Sequence, residues 1–323
     1  MAEELEMAPF PILAKSMRRG IYLVANRNSQ QMCENLIYSI RKSGCTLPIR
    51  LIHFGGLEIN SEYILNEVEF MRLADFSDEG KQFITSLRTV LTDCPLGFLF
   101  RFLAWFSDWD EFIYSDNDVV ALCNWEILFS HLSDYDLVHA DEEYTTKGRF
   151  NYDEPEKVKI IFGKNALESA ITAGHIAVKR NDKMLADFIK SIEWFHQHSS
   201  IPKKHDQALL HIASLIGSWK VLNLCKPPHS WLSSWSGDYV NSLQIIQSIQ
   251  SVGTKISHIH YSGGTPRGNL PLEELLLSST DANSRLFTIA CAWLRFSSKY
   301  EALNNLFRRA KRFFKKRWWS RAG

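Results

Sequence analysis

The sequence predicts an α/β fold in which helices flank a sheet that begins parallel. Its first element is an apolar run, Ile21 to Ala25, followed by an amphipathic stretch and a second apolar run, Pro48 to Phe54. That strand–helix–strand order is the usual opening of a parallel sheet. Further short apolar runs, at 111–114 and 136–140, end at polar residues, as the strands of such a sheet do. A length of 323 residues accommodates one large domain with an appendage.

In chain order, residues 1–19, with Pro9 and Pro11, read as a leader. The strand at 21–25 gives way to a helix over about Ser29 to Ser43, with Met32, Leu36, Ile37 and Ile40 on one face and Gly44 ending it. A strand over 48–54 closes at Gly55-Gly56. Residues 80–107 are helical in part, broken at Pro95-Leu96-Gly97. Glu111 to Tyr114 and Asp136 to Ala140 are strands, and the polar segment 141–159 reads as a loop. Ile176 to Val178 is a short strand, Asp182 to Phe195 and residues 206–216 are helices, and Lys255 to Tyr261 is a late strand. The folded domain is therefore placed at 20–280, with a helical tail over 281–323.

Composition narrows the classes. Hydrophobic residues make up 45% and charged residues 23%, which suits a folded core and excludes global disorder. The net charge of +1 conceals a tail, Arg308 to Gly323, with eight Lys or Arg and no acid; +1 less those eight leaves −7 for the rest. One localised anionic partner fits that pattern better than general nucleic-acid binding. Cys33, Cys45, Cys94, Cys123, Cys225 and Cys291 form no CxxC pair, which argues against a zinc ribbon and for reduced, buried thiols in a cytoplasmic protein. Glu3, Glu4 and Glu6 are the wrong charge for a secretory signal, and no apolar run reaches spanning length.

The sharpest chemical signal is Asp116-Asn117-Asp118, directly after the strand at 111–114. Open α/β sheets bind ligands beyond the carboxyl ends of their strands. Two carboxylates on one tight turn suit Mg²⁺ or Mn²⁺, which take oxygen ligands and leave positions for phosphate. A solvated acidic turn is the competing reading. A second signal is His258-Ile259-His260-Tyr261-Ser262-Gly263-Gly264, at another strand end. A neutral imidazole there can complete a metal site, and the glycines permit close approach of backbone to phosphate. His258 and His260 share a face of the strand. The later one lies nearer the strand end, which favours His260 as ligand and His258 as structural. The third signal is Asp206-Gln207 before a helix, either at a pocket rim where the two hydrogen-bond sugar hydroxyls, or with Asp206 as a simple N-cap.

Together and in this order, these motifs resemble family eight of the glycosyltransferases, of GT-A fold, over roughly residues 20–268. The resemblance implies a Rossmann-like mixed sheet and a metal-dependent, retaining transfer from a nucleotide-diphosphate sugar, with UDP as nucleotide. It implies donor contacts from Asn26 at the first strand end, from Arg101 in Phe100-Arg101-Phe102-Leu103, and from Gly263. Asp116, Asp118 and His260 become the metal ligands, and Asp206 and Gln207 the catalytic pair. Thr172-Ala173-Gly174 resembles the family's Asn-Ala-Gly strand, with Thr in place of Asn. The lysine expected after His-x-x-Gly falls on Pro266, so Arg267 is the candidate phosphate cation. These departures keep open an alternative, a catalytically degenerate fold that binds nucleotide-sugar or serves as a scaffold. A nucleotidyltransferase is a third reading, without support from a Gly-rich loop near the N-terminus.

In the tail, Leu303, Leu306, Phe307, Ala310, Phe313, Phe314 and Trp318 recur at helical spacing, and Arg308, Arg309, Lys311, Arg312, Lys315, Lys316 and Arg317 fill much of the remainder. Aromatic and basic residues at that density suit an interfacial helix on anionic lipid. The expected setting is peripheral, on the inner face of a membrane, with a glycan or lipid-linked acceptor. Nucleic-acid binding and a solvated terminal helix are the rival readings of the tail.

Overall fold

The structure, a computed structural model, describes residues 17–141, 151–239, 242–250, 253 and 255–262. The expected leader, apart from its last three residues, and the expected tail lie outside the described residues.

The chain opens with β1 (Arg19–Ala25), α1 (Gln30–Lys42) and β2 (Ile49–His53). It continues through α2 (Glu62–Glu67), β3 (Glu69–Met71), α3 (Asp78–Val90) and α4 (Leu96–Phe100) to β4 (Glu111–Ser115), β5 (Val119–Ala121) and β6 (Leu137–His139). Then come α5 (Pro155–Phe162), β7 (His175–Lys179), α6 (Asp182–Gln197), α7 (Asp206–Gly217), β8 (Val221–Asn223), α8 (Ser242–Gln250) and β9 (His258–His260).

Seven strands form one sheet in the order β3-β2-β1-β4-β7-β6-β8. The first four run parallel, while β7 lies antiparallel to both β4 and β6, so the sheet is mixed. Period-two alternation sorts the strand side chains onto two faces. Tyr22, Phe112, Tyr114, Ile176 and Val178 enter the core beneath α3, α6 and α7. Ile21, Leu23, Ile113 and Ala177 enter the opposite core, with Leu36, Ile37 and Ile40 of α1. Both faces of the central strands are covered, which is why they read as continuous apolar runs.

One part of this core bears directly on the cavity described below. Phe102 and Trp105, on the 3-10 turn over Arg101–Phe106, are fully buried. Trp105 meets Phe112 and Phe188 edge-on at 5.1 Å each. Burying an aromatic side chain contributes about 1.5–3 kcal/mol, so these anchors fix the turn that carries Arg101.

The segment 141–159 is not the continuous loop the polarity suggests. Residues 142–150 lie outside the described residues, but Pro155 opens α5 at a position where its missing N–H costs nothing, and Val158 is buried. A separate two-stranded ladder joins β5 to β9, pairing Val119 with His260 and Ala121 with His258. This ladder carries a residue from near position 260 to the end of β4.

Candidate metal and donor site

β4 is buried along its whole length and ends at Ser115, directly before Asp116. The turn that follows is fixed from three sides. The Asp116 amide donates to the Gly174 carbonyl at 2.7 Å, and the Asn117 side chain to the Val24 carbonyl at 2.7 Å. The Tyr261 amide donates to the Asp118 carbonyl at 2.9 Å. Both carboxylates therefore stand at the carboxyl edge of the sheet, between β1, β7 and β9.

His260 is brought to them by its pairing with Val119. Its Nε2 lies 3.4 Å from an Asp118 oxygen and 3.9 Å from an Asp116 oxygen. Asp116, Asp118 and His260 each offer a ligand atom within 4.8 Å of the others. His260 is the histidine that faces the carboxylates. His258 is fully buried, its ring tilted against His175 at 4.0 Å between centroids, with its Nδ1 2.6 Å from the Ser257 hydroxyl.

Burial and neighbouring charges set the protonation of the site. Burial pushes the Asp116 carboxyl above the ordinary carboxylate range; Arg101 opposes that, and the charge on Asp118 adds to it. Burial would lower the basicity of His260, but Asp118 and Asp141 raise it well above the usual imidazole range. The site thus favours positive charge between its acids. His260 Nε2 is buried without a hydrogen-bond partner and aimed at those acids. Two carboxylates and an imidazole are a donor set that fits Mn²⁺ or Mg²⁺.

Arg101 is almost completely buried, and its fork is spent on the protein. Nη2 donates to both Asp116 oxygens at 3.0 and 3.2 Å, Nη1 donates to the Ala173 carbonyl at 2.8 Å, and Nε lies 2.8 Å from Asp206. Tyr114 adds a 2.6 Å hydrogen bond from its hydroxyl to Asp116. Asp206 is not the cap of α7. His205 is the N-cap, its ring accepting from the Ala208 amide at 3.3 Å, and this frees the buried Asp206 carboxylate for Arg101. Gln207 projects beside it with its Nε2 buried and unpaired.

These groups line one cavity of about 420 Å³ with Val24, Ser29, Met32, Phe54 and Phe98. The cavity brings together Arg101, Asp116, Asp118, Asp206, Gln207 and His260 from the expected set. Asn26 is not part of the lining; its side-chain oxygen caps the short turn over Arg27–Ser29 by accepting from the Asn28 amide at 3.0 Å. Thr172 likewise turns away, 3.2 Å from His139. Gly263 and Arg267 lie outside the described residues.

Three participants were not anticipated from the sequence. Tyr114 was read only as the end of a strand, Asn117 only as the middle of the motif, and Asp141 as part of a loop. Asp141 directly follows the apolar run at 136–140, and the same strand-end rule that singled out Asp116 applies to it. Burial works against its ionisation, yet His258 and His260 hold its carboxyl well below the usual range.

Residues 18–158 match the model of a family described as "Mannosyltransferase putative", which is less than half of the chain. A search of curated proteins found no match. Among solved structures, the apo form of WbbM, a bifunctional glycosyltransferase, aligns with a TM-score of 0.50 at 14% identity, covering 88% of this chain and 52% of that one. The chain thus spans about half the length of WbbM. Galactosyltransferase LgtC with donor and acceptor sugar analogs aligns at 0.44 and 16% identity, over 85% of this chain and 96% of that one. Mouse xyloside xylosyltransferase 1 aligns at 0.47 and 11% identity, over 78% and 100%. At these identities the likeness to WbbM is one of fold, and the mixed seven-stranded sheet flanked by helices is the GT-A-like architecture expected.

Proposed function

We propose that this chain is a metal-dependent glycosyltransferase that moves a hexose from a nucleoside-diphosphate donor to a glycan or lipid-linked acceptor. One observation carries the reading: the convergence of Asp116, Asp118 and Nε2 of His260, which lies 3.4 Å from Asp118, at the carboxyl end of β4, on the wall of a cavity that also holds Asp206 and Gln207. The family model over 18–158 and the fold likeness agree with it.

In this reading Asp116, Asp118 and His260 hold the cation. When bound, the cation supplies neutralising charge for the departing diphosphate. Arg101 acts differently from the expectation of a direct donor contact. With Nη2 donating to Asp116, Nη1 to the Ala173 carbonyl and Nε to the Phe98 carbonyl, and with Asp206 2.8 Å from Nε, it orients the two acids beside the cavity. Asp206 and Gln207 then face the sugar. The Gln207 amide, with a buried and unsatisfied N–H group, is the donor available to a sugar hydroxyl. Val24, Ser29 and Met32, along the end of β1 and the start of α1, border the side of the cavity that suits the nucleoside.

The resemblance to family eight supports UDP and a retaining outcome; the name of the matched family supports mannose. A hydrolysis screen with Mn²⁺ over UDP-glucose, UDP-galactose, GDP-mannose and a CMP-sugar separates these donors. Hydrolysis of one of them that stops on chelation is the expected result. Absence of binding and hydrolysis for all of them would overturn the assignment. The anionic membrane surface is proposed from the composition of the tail alone. Among the described residues no helix is long and apolar enough to cross a membrane. Loss of sedimentation with anionic vesicles after deletion of residues 303–323 is the corresponding test.

A further inference from the structure

We propose that Asp141 is a positioning residue for the metal site, its carboxylate fixing the His260 ring so that Nε2 faces Asp116 and Asp118. The proposal rests on the reading of those three residues as metal ligands.

The geometry is built around one buried carboxylate. Asp141 stands just beyond the end of β6 and is 1% exposed. One of its oxygens lies 3.3 Å from Nδ1 of His260, and the other 3.3 Å from Nε2 of His258. A proton on His260 Nδ1 therefore points at a carboxylate. That hydrogen bond selects the form of the ring whose Nε2 lone pair is free toward the acids, and it makes the ring a better ligand.

The Nδ1–Cε1–Nε2 part of the ring is closed by backbone. A Cβ placed on Gly174 would lie 2.0 Å from His260 Cε1, so the imidazole lies directly against the β7 approach. Between Gly174 and Asp141 the ring has little freedom to turn. His258 packs beside the same carboxylate, its Nε2 3.3 Å from the second oxygen, its Nδ1 2.6 Å from the Ser257 hydroxyl and its ring tilted against His175. Asp141 thus ties two residues of β9 to the end of β6, and only one of them reaches the metal site.

The test titrates Mn²⁺ alone into the full chain and reads free Mn²⁺ by electron paramagnetic resonance, with thermal unfolding followed in parallel. Asp141→Leu fills the space without an acceptor; Asp141→Asn keeps one acceptor oxygen and loses the charge. The expected result is an affinity loss of about tenfold to a hundredfold for Asp141→Leu, the range of such outer partners. Asp141→Asn should lose less, at a melting temperature close to wild type. A role in packing alone would instead leave Mn²⁺ affinity unchanged in every variant that folds. Should Asp141→Leu fail to fold, Asp141→Asn decides: wild-type affinity overturns the proposal. If the folded wild type itself takes up no Mn²⁺, the metal reading fails and this proposal with it. Wild-type binding that both variants retain overturns only the role of Asp141.

Discussion

Arg101 holds Asp116 through a single nitrogen, Nη2, which donates to both carboxylate oxygens at 3.0 and 3.2 Å. The same guanidinium lies 2.8 Å from Asp206 through Nε, so one buried cation neutralises a half-buried acid and a buried one that are distant in sequence. Removing it leaves both uncompensated. We expect Arg101→Leu to destabilise the fold by about 3–5 kcal/mol, the usual cost of breaking a buried pair. Arg101→Lys keeps the charge but cannot span the acceptors and should fall between the two. Urea unfolding midpoints decide it; a loss under 1 kcal/mol for Arg101→Leu would mean that solvent already screens these acids.

Gly174 is the second structural commitment of the site. An added Cβ would meet His260 Cε1 at 2.0 Å and Nδ1 at 2.6 Å, a clash that the ring can relieve only by moving. Gly174→Ala should cost about 1–3 kcal/mol of stability, as overpacking does. It should also weaken Mn²⁺ binding measured by calorimetry, because the displaced ring is the proposed ligand. Retained Mn²⁺ affinity in a folded Gly174→Ala protein would show that His260 is dispensable.

Asp206 and Gln207 should separate function from folding. Because His205 caps α7, Asp206→Asn leaves the helix start intact. It removes one charge from the Arg101 cluster, at a cost of about 1–3 kcal/mol. Gln207→Ala removes an amide whose Nε2 has no partner, so stability should change by no more than about 0.5 kcal/mol. Turnover should fall at least tenfold in both, corresponding to about 1.4 kcal/mol of lost transition-state binding. A Gln207→Ala enzyme with wild-type kcat and KM would remove that residue from the site.

The parts of this molecule that were legible in the sequence share a physical cause. β1, β2, β4 and β7 are buried on both faces over most of their length, so their central residues are largely apolar, with Arg50 in β2 the exception. β3, β5 and β8 are three residues each, too short for any period to register, and were not anticipated. α8 was missed because its glutamines and serines dilute the stripe formed by Ile245 and Ile246. At the site, Asp116, Asp118 and His260 could be found because each ends or adjoins an apolar strand. Their meeting depends on the β5–β9 ladder, a contact between residues about 140 positions apart that no local pattern encodes. Asp141 obeyed the same strand-end logic, but as the first of three consecutive acids, Asp141-Glu142-Glu143, it read as the start of a solvated loop.

Acid stability should depend on a histidine outside the metal site. His211 on α7 is fully buried, with Nδ1 2.6 Å from the Tyr152 hydroxyl and Nε2 3.1 Å from the Ala166 carbonyl. A carbonyl can only accept, so Nε2 carries the proton and Nδ1 accepts from Tyr152. The neutral ring satisfies both partners. Burial depresses its pKa from 6.5 to about 4, with the Ala166 carbonyl pulling weakly the other way. The sign follows from linkage. Between pH 6.5 and 4 the unfolded chain binds a proton that the folded chain refuses, so stability falls as pH falls through that window. The neutral ring's contribution is fully present above 6.5, and a shift of this size corresponds to about 3 kcal/mol. His139, also lowered to about 4 by burial, acts in the same direction, so the wild type alone cannot isolate His211. His211→Gln can, since an amide offers a donor and an acceptor but does not titrate in this range. At pH 7.5 the variant should be less stable than wild type by about 1–2 kcal/mol. At pH 4.5 that deficit should vanish or reverse, as the wild type alone bears the cost of the unfavourable proton. A deficit that stays constant from pH 7.5 to 4.5 would mean that the buried ring takes up its proton without penalty, and would sink the account of His211 as a neutral, fully paired core residue.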